Sequence, residues 1–319
     1  MARRPIPNAV DPRNASRPGA VDRPLALSLL VSLRPSQWTK NLIIFAGLIF
    51  GLRLDEPEAV ARAIGAFVVF CALSGVVYLV NDVVDREADR QHPVKARRPI
   101  AAGELATGSA LVAALGLAAA GLGGAFWMGR ALGAVAAGYL ALLALYSGPL
   151  KRLVIVDVLT IAMGFVLRAV AGAVAVDVPI SHWLLVLTIM LALFLGFSKR
   201  RHELTSLGGQ AAGHRVILGE YTAQLLDQMI AIVAAATLIA YVIYTISPET
   251  IEKFGTEQLG LTLPFPAYGI FRYLYLVYRK DGGGSPSEAL LTDRPLLICV
   301  GLWVLAVTAI IYAGPLALR

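Results

Sequence analysis

The run Asn81-Asp82-Val83-Val84-Asp85-Arg86-Glu87-Ala88-Asp89-Arg90 sets three aspartates at i, i+3 and i+7. On a continuous helix, Asp82, Asp85 and Asp89 share one face. Three carboxylates so placed repel one another and need water, Lys or Arg partners, or a divalent cation. Ligands that are all oxygen favour Mg²⁺, which usually shares its coordination with substrate phosphates. Asp82, Asp85 and Asp89 are therefore candidate metal ligands. The plainer alternative is a solvated helix end.

Cations gather in the neighbouring stretches. Directly downstream come Arg90, Lys95, Arg97 and Arg98. A basic loop beside three aspartates makes sense if both grip one ligand, the carboxylates through metal and the cations through phosphate oxygens. Tyr146 and Lys151 sit in a short turn, Asp157 lies about one turn into the next apolar run, and Arg168 lies deeper in it. Ionisable groups inside an apolar run are costly and are functional candidates, so Arg168 is expected to face an internal cavity. A second polar cluster runs Lys199-Arg200-Arg201-His202-Glu203; taken alone it matches an ordinary flank of a membrane span. His202 has no metal-ligand spacing with another histidine.

The elements that must position these residues are membrane helices. Hydrophobic residues make up 57% of the 319 positions and charged residues 15%, against roughly 25% charged in soluble domains. Apolar runs of about twenty residues alternate with short charged stretches, the length a helix needs to cross a bilayer. Nine spans can be marked, near 40–53, 59–80, 107–127, 131–147, 153–176, 182–198, 223–246, 261–278 and 295–315. The runs lack the alternation of a barrel strand. The expected fold class is thus all-α and polytopic. Residues 1–24 read as a disordered tail and 25–319 as the transmembrane domain, with 25–33 open to a surface-lying amphipathic helix. The segment 281–287 reads as a flexible turn. Cys71 and Cys299 fall inside apolar runs and suggest neither disulfide nor metal site.

Lys and Arg divide 21 to 4 between the two sets of loops and flanks. By the positive-inside rule the tail and the loops carrying the aspartates and Lys199 are cytoplasmic, in the cell's inner (plasma) membrane. That distribution accounts for the formal charge of +7 without nucleic-acid binding. A transporter would set ionisable groups along a path across the membrane; here they collect at one face.

The pattern resembles the UbiA superfamily of intramembrane prenyltransferases, from about Leu33 to the C-terminus, on its Asn-Asp-x-x-Asp-x-x-x-Asp motif. The resemblance implies nine transmembrane helices around a central cavity, with Asn81, Asp82, Asp85 and Asp89 as the catalytic residues and Mg²⁺ ligands. Within the superfamily it is closest to the branch that transfers phosphoribose to decaprenyl phosphate. The segments carrying this likeness are Arg34 to Asn41, Asp89 to Gly103, Tyr146-Ser147 with Lys151, Arg168 to Gly172, and Lys199-Arg200 with Glu203. Typical prenyltransferases carry a second Asp-rich motif after the sixth helix; this sequence has Lys199-Arg200-Arg201 there, which suits direct phosphate contact. The implied reaction is Mg²⁺-dependent transfer of 5-phosphoribose from phosphoribosyl diphosphate to a polyprenyl phosphate, releasing pyrophosphate, a step toward lipid-linked pentose donors for cell-wall or lipid glycans. Lys40, Arg90, Lys95, Arg98, Lys151, Arg168, Lys199 and Arg200 are then expected to anchor phosphates, and Tyr146, Asp157 and Glu203 to bind ribose hydroxyls or orient neighbours. The alternative is a prenyltransferase using a prenyl diphosphate and an aromatic or glycerol acceptor. Membrane lipids are expected partners, and a homo-oligomer is compatible with the sequence.

Overall fold

A computed structural model describes residues 23–92, 94–207, 216–280 and 286–317. Nearly all of the expected tail, and most of the turn at 281–287, lie outside the described residues. Every regular element among those described is helical. Chain order gives α1 (Leu25–Ser32), a 3-10 segment (Pro35–Ile44), α2 (Phe45–Phe50), α3 (Pro57–Val84), α4 (Arg86–Gln91), α5 (Pro99–Ala102), α6 (Thr107–Met128), α7 (Arg130–Ser147) and α8 (Val156–Ala175). It continues with α9 (His182–Leu207), α10 (Ala223–Ile246), α11 (Pro248–Phe254), α12 (Pro264–Arg279), α13 (Pro286–Thr292) and α14 (Arg294–Ala317).

Local chemistry sets the boundaries. Pro57, Pro99, Pro248, Pro264 and Pro286 open helices, where the missing N–H costs nothing. Thr222 and Ser247 cap α10 and α11 by accepting from the Leu225 and Thr250 amides. Gly255 ends α11 in the left-handed region that glycine adopts freely.

Among the described residues seven helices, α3, α6, α7, α8, α9, α10 and α14, are long and apolar enough to cross a membrane. Two of the nine expected spans fall short. The first becomes the 3-10 segment plus α2, because Pro35 starts a new direction and Lys40 and Asn41 interrupt the apolar run. The eighth, α12, has 16 residues and rises only about 24 Å; Pro264 fixes its start.

The bundle has an apolar core of several clusters into which polar groups are set. Asn41, Ser74, Asp82, Asp157, Arg168 and Arg200 are buried, while Val112, Leu115, Trp127, Ile232 and Leu305 are exposed. An apolar outside around buried charge suits lipid surroundings. Helix α3 packs on α6, and α9 packs on both α8 and α10. The 3-10 segment and α2 lie against α8 through a glycine contact. A Cβ on Gly172 would come within 2.0 Å of the Ile44 carbonyl oxygen, and one on Gly47 within 2.6 Å of the Ala173 nitrogen. Only hydrogens fit at these two positions, so the first segment enters the bundle interior.

At the end of the bundle opposite Asp82, rings close together. Phe50, Trp183, Tyr241, Tyr244 and Trp303 stack with centroids 6.1 to 6.4 Å apart. Trp303 donates to the Tyr241 hydroxyl at 2.9 Å, and that hydroxyl pairs with Thr262 Oγ1 at 2.6 Å.

Candidate active site

Three linked polar clusters occupy one half of the bundle. The first lies where α3 ends. Helix α3 stops at Val84 and Asp85 forms the junction to α4, although Asp85 N–H still donates to the Asn81 carbonyl and Asp89 N–H to that of Asp85. The single continuous helix expected for the aspartates is thus interrupted, and their roles divide. Asp82 and Asp89 are buried. Arg98 Nη1 donates to Asp82 Oδ1 at 3.0 Å and to Asp89 Oδ2 at 2.6 Å. Arg34 Nη2 donates to the same Asp82 oxygen at 2.5 Å. Asp85 is half-buried and makes no ion pair among the described residues; Asn81 stands half-buried one turn before it.

Arg34 reaches Asp82 because its backbone turns left-handed, φ 53°, between α1 and the 3-10 segment. Its guanidinium also covers the Tyr78 ring at 4.8 Å, a cation–π contact. Burial pulls its pKa below the ordinary value, with Asp82 opposing that shift.

The second cluster is deeper. Arg168 donates from Nε to Asn41 Oδ1 at 2.6 Å, from Nη2 to the Tyr139 hydroxyl at 2.6 Å and from Nη1 to the Gly164 carbonyl at 3.0 Å. Asn41 in turn donates to Cys71 Sγ at 3.2 Å, and Ser74 pairs with Tyr139 at 3.1 Å. Arg168 is inside the bundle as expected, but its guanidinium is already shared among protein acceptors. Lys40, next to Asn41, has Lys199, Arg168 and Arg34 as its charged neighbours. Lys199, Arg168 and Arg34 thus lie within electrostatic range of Lys40, and Arg34 among them also touches Asp82.

The third cluster fixes the start of α8 to α9. Arg200 donates from Nε to Asp157 Oδ2 at 2.8 Å, from Nη1 to Glu203, and from Nη2 to Tyr146 at 3.4 Å. Tyr221 donates to Asp157 Oδ1 at 3.2 Å and accepts from the Ile155 amide at 2.7 Å. Burial pushes the Tyr221 phenol up to about 12, so it stays a donor at neutral pH. Ile155 is held at φ 67°, costly for a β-branched residue, and the Tyr221 contact helps to secure it. The side chain of Arg200 is 1% exposed and that of Asp157 0%, so the guanidinium expected to meet phosphate is paired with a carboxylate in the interior. Lys199, 40% exposed and 3.9 Å from Glu203, is the more open cation of this pair.

Other expected residues stand apart. Arg90 is exposed and bonds Glu87 at 3.0 Å and the Ala101 carbonyl at 3.1 Å. Lys95 is exposed, and Lys151 lies half-buried in the short 3-10 turn Leu150–Arg152. Residues that the motif reading did not assign a role are Arg34, Asn41, Tyr139 and Tyr221. Arg34 and Asn41 belong to the segment that carried the resemblance, while the two tyrosines carried no signal beyond their polarity inside or beside apolar runs.

Among the described residues, no group of three or more His, Cys, Asp or Glu side chains is gathered closely enough to hold a metal. Two carboxylates nevertheless fit a hard cation. The position between Asp82 Oδ1 and Asp89 Oδ2 is filled by a cationic nitrogen, Arg98 Nη1, and the atoms the two carboxylates offer there are oxygen.

The UbiA prenyltransferase family model matches residues 41–290. The decaprenyl-phosphate phosphoribosyltransferase of Mycolicibacterium smegmatis is 35% identical over 301 residues, covering 90% of this chain and 93% of that protein. That of Corynebacterium glutamicum is 34% identical over 303 residues, covering 92% and 89%. In fold, the chain is similar to a UbiA homologue from Archaeoglobus fulgidus bound to GPP and Mg²⁺, with TM-score 0.69 and 19% identity over 89% of this chain and 99% of that one. The family match over most of the chain, the two relatives and the shared helical architecture agree, and the chain belongs to the UbiA prenyltransferase family.

Proposed function

We propose that this protein is a membrane-embedded pentosyltransferase that moves 5-phosphoribose from phosphoribosyl diphosphate to a polyprenyl phosphate, decaprenyl phosphate in the nearest analogy, with release of pyrophosphate. The observation that carries it is the pairing of buried Asp82 and Asp89 with Arg34 and Arg98, together with Lys199, Arg168 and Arg34 lying within electrostatic range of Lys40. A donor and an acceptor that both bear phosphate need that many cations in one place. The similarity to phosphoribosyltransferases across nine-tenths of the chain supports the same reading.

Asp82, Asp85 and Asp89, with Asn81, would hold Mg²⁺, which when bound supplies charge neutralisation on the leaving diphosphate. The chain's own residues do the rest. Lys199, Lys40 and Arg98 bind phosphate oxygens. Arg168 and Arg200 keep Asn41, Tyr139, Tyr146 and Asp157 in register around them. As the C1–O bond to diphosphate stretches, the ribose gains oxocarbenium character, and a lipid phosphate oxygen forms the new bond from the opposite face. That oxygen is already ionised, so no strong general base is required. The same reading places the site at the cytoplasmic face of the plasma membrane, where a water-soluble sugar phosphate is available.

The test is to incubate purified protein with labelled phosphoribosyl diphosphate, Mg²⁺ and a series of polyprenyl phosphates. Label should enter the organic-extractable lipid with one pyrophosphate released per transfer, and Asp82→Asn should nearly abolish it. Transfer instead of a labelled prenyl group to an aromatic or glycerol acceptor would replace this reading with the conventional prenyltransferase one.

A further inference from the structure

The buried carboxylates of Asp82 and Asp89 lie beneath arginines. Asp82 is 2% exposed, whereas Arg34 and Arg98 are each 29% exposed and both touch its Oδ1. Arg98 alone bridges Asp82 to Asp89. A cation arriving from the aqueous side therefore meets guanidinium groups before it meets Asp82 or Asp89. Mg²⁺ binds oxygen at about 2.0–2.1 Å in a tight shell, and it cannot take Asp82 Oδ1 while two guanidinium nitrogens sit on the same atom.

We propose that Arg34 and Arg98 form an exchangeable counter-ion pair: they neutralise Asp82 and Asp89 in the ligand-free protein and pass to the donor's diphosphate when metal enters. This rests on the reading above that the site takes a metal-bound diphosphate. Guanidinium matches phosphate oxygens in a bidentate fork, so the exchange trades one set of ion pairs for another. Each buried carboxylate keeps a cation throughout, and no charge is left stranded. Arg34 is well placed to move, since its left-handed backbone at the head of the 3-10 segment is a bend between two elements. The same segment carries Lys40, whose charged neighbours include Arg34, so this shift brings a second cation toward the same phosphates.

Two consequences follow from linkage. Metal alone binds weakly because it must expel arginines that have nowhere to go. Metal and diphosphate together bind well, and each raises the other's affinity by the same factor. Arg34 is then both a competitor of the metal and a ligand of the diphosphate, so its removal should move the two affinities in opposite directions.

The experiment uses the full chain in detergent, with Mn²⁺ as a paramagnetic substitute for Mg²⁺ and inorganic pyrophosphate as the diphosphate probe. Bound Mn²⁺ is read by electron paramagnetic resonance, and labelled pyrophosphate by equilibrium dialysis. For Arg34→Gln, Mn²⁺ alone should bind at least fivefold tighter than in the parent, and Mn²⁺-pyrophosphate at least fivefold weaker. Arg34→Lys keeps the charge without the fork and should lie between. A merely structural role would weaken both and lower the thermal transition. If Mn²⁺ alone binds equally to parent and variants, or if both affinities fall together, the exchange is overturned. If the parent binds neither Mn²⁺ nor its pyrophosphate complex, the metal-diphosphate reading itself fails.

Discussion

At the scale of single residues, Lys199 and Arg200 are neighbours in sequence with opposite surroundings. Arg200 faces Asp157 at 2.8 Å with almost no solvent on either side, and removing one partner of such a pair costs about 3–5 kcal/mol. Asp157→Asn should lower the thermal transition in detergent markedly, while Lys199→Gln should leave it unchanged. Lys199→Gln should instead raise KM for phosphoribosyl diphosphate or the lipid phosphate roughly tenfold, the worth of a lost charge-assisted hydrogen bond. Thermal melts and steady-state kinetics on both variants check this, and an Asp157→Asn protein as stable as the parent would contradict it. Sequence alone groups the two cations, because both fit a basic flank of a span. What separates them is a carboxylate 43 positions upstream, and no local pattern announces that pairing.

Elements differ in how plainly the chain announces them. The long helices are legible, since length and apolarity are what a bilayer demands and α3, α6, α8 and α10 have both in full. The 3-10 segment is not, because Pro35, Lys40 and Asn41 break the apolar pattern while tertiary contact with α8 supplies the order. That contact depends on Gly172, and a methyl group there would overlap the Ile44 carbonyl oxygen. Gly172→Ala should therefore displace the segment, separating Asn41 from Arg168 and Lys40 from its cluster. Overpacking of this kind typically costs about 1–3 kcal/mol. The expected result is a modestly lower thermal transition with a much larger fall in kcat/KM, measured on the same preparation; parent-like kinetics would show that the contact does not position the site. The break after Val84 was likewise hidden, because Asp85 and Arg86 continue the spacing that a straight helix would have.

Across the whole molecule, the charged interior and the stack of rings at the far end belong to one problem. Non-helical backbone at membrane depth survives where it lines water or is buried in protein, and the segment with Lys40 and Asn41 brings polar groups well into the bundle. An energised membrane has to remain an electrical insulator. Beyond Arg168 the insulation falls to Phe50, Trp183, Tyr241, Tyr244 and Trp303, among which the Trp303 indole and the Tyr241 hydroxyl are paired with each other and the latter with Thr262. Replacing Tyr244 and Trp303 together by Ala should make sealed proteoliposomes leak protons under an imposed gradient, followed with an entrapped pH dye, while a parent-like leak rate would mean the interior is dry below the rings. An enzyme that admits aqueous substrate from one face of a charged membrane must be a blind well, and its bottom is a dielectric.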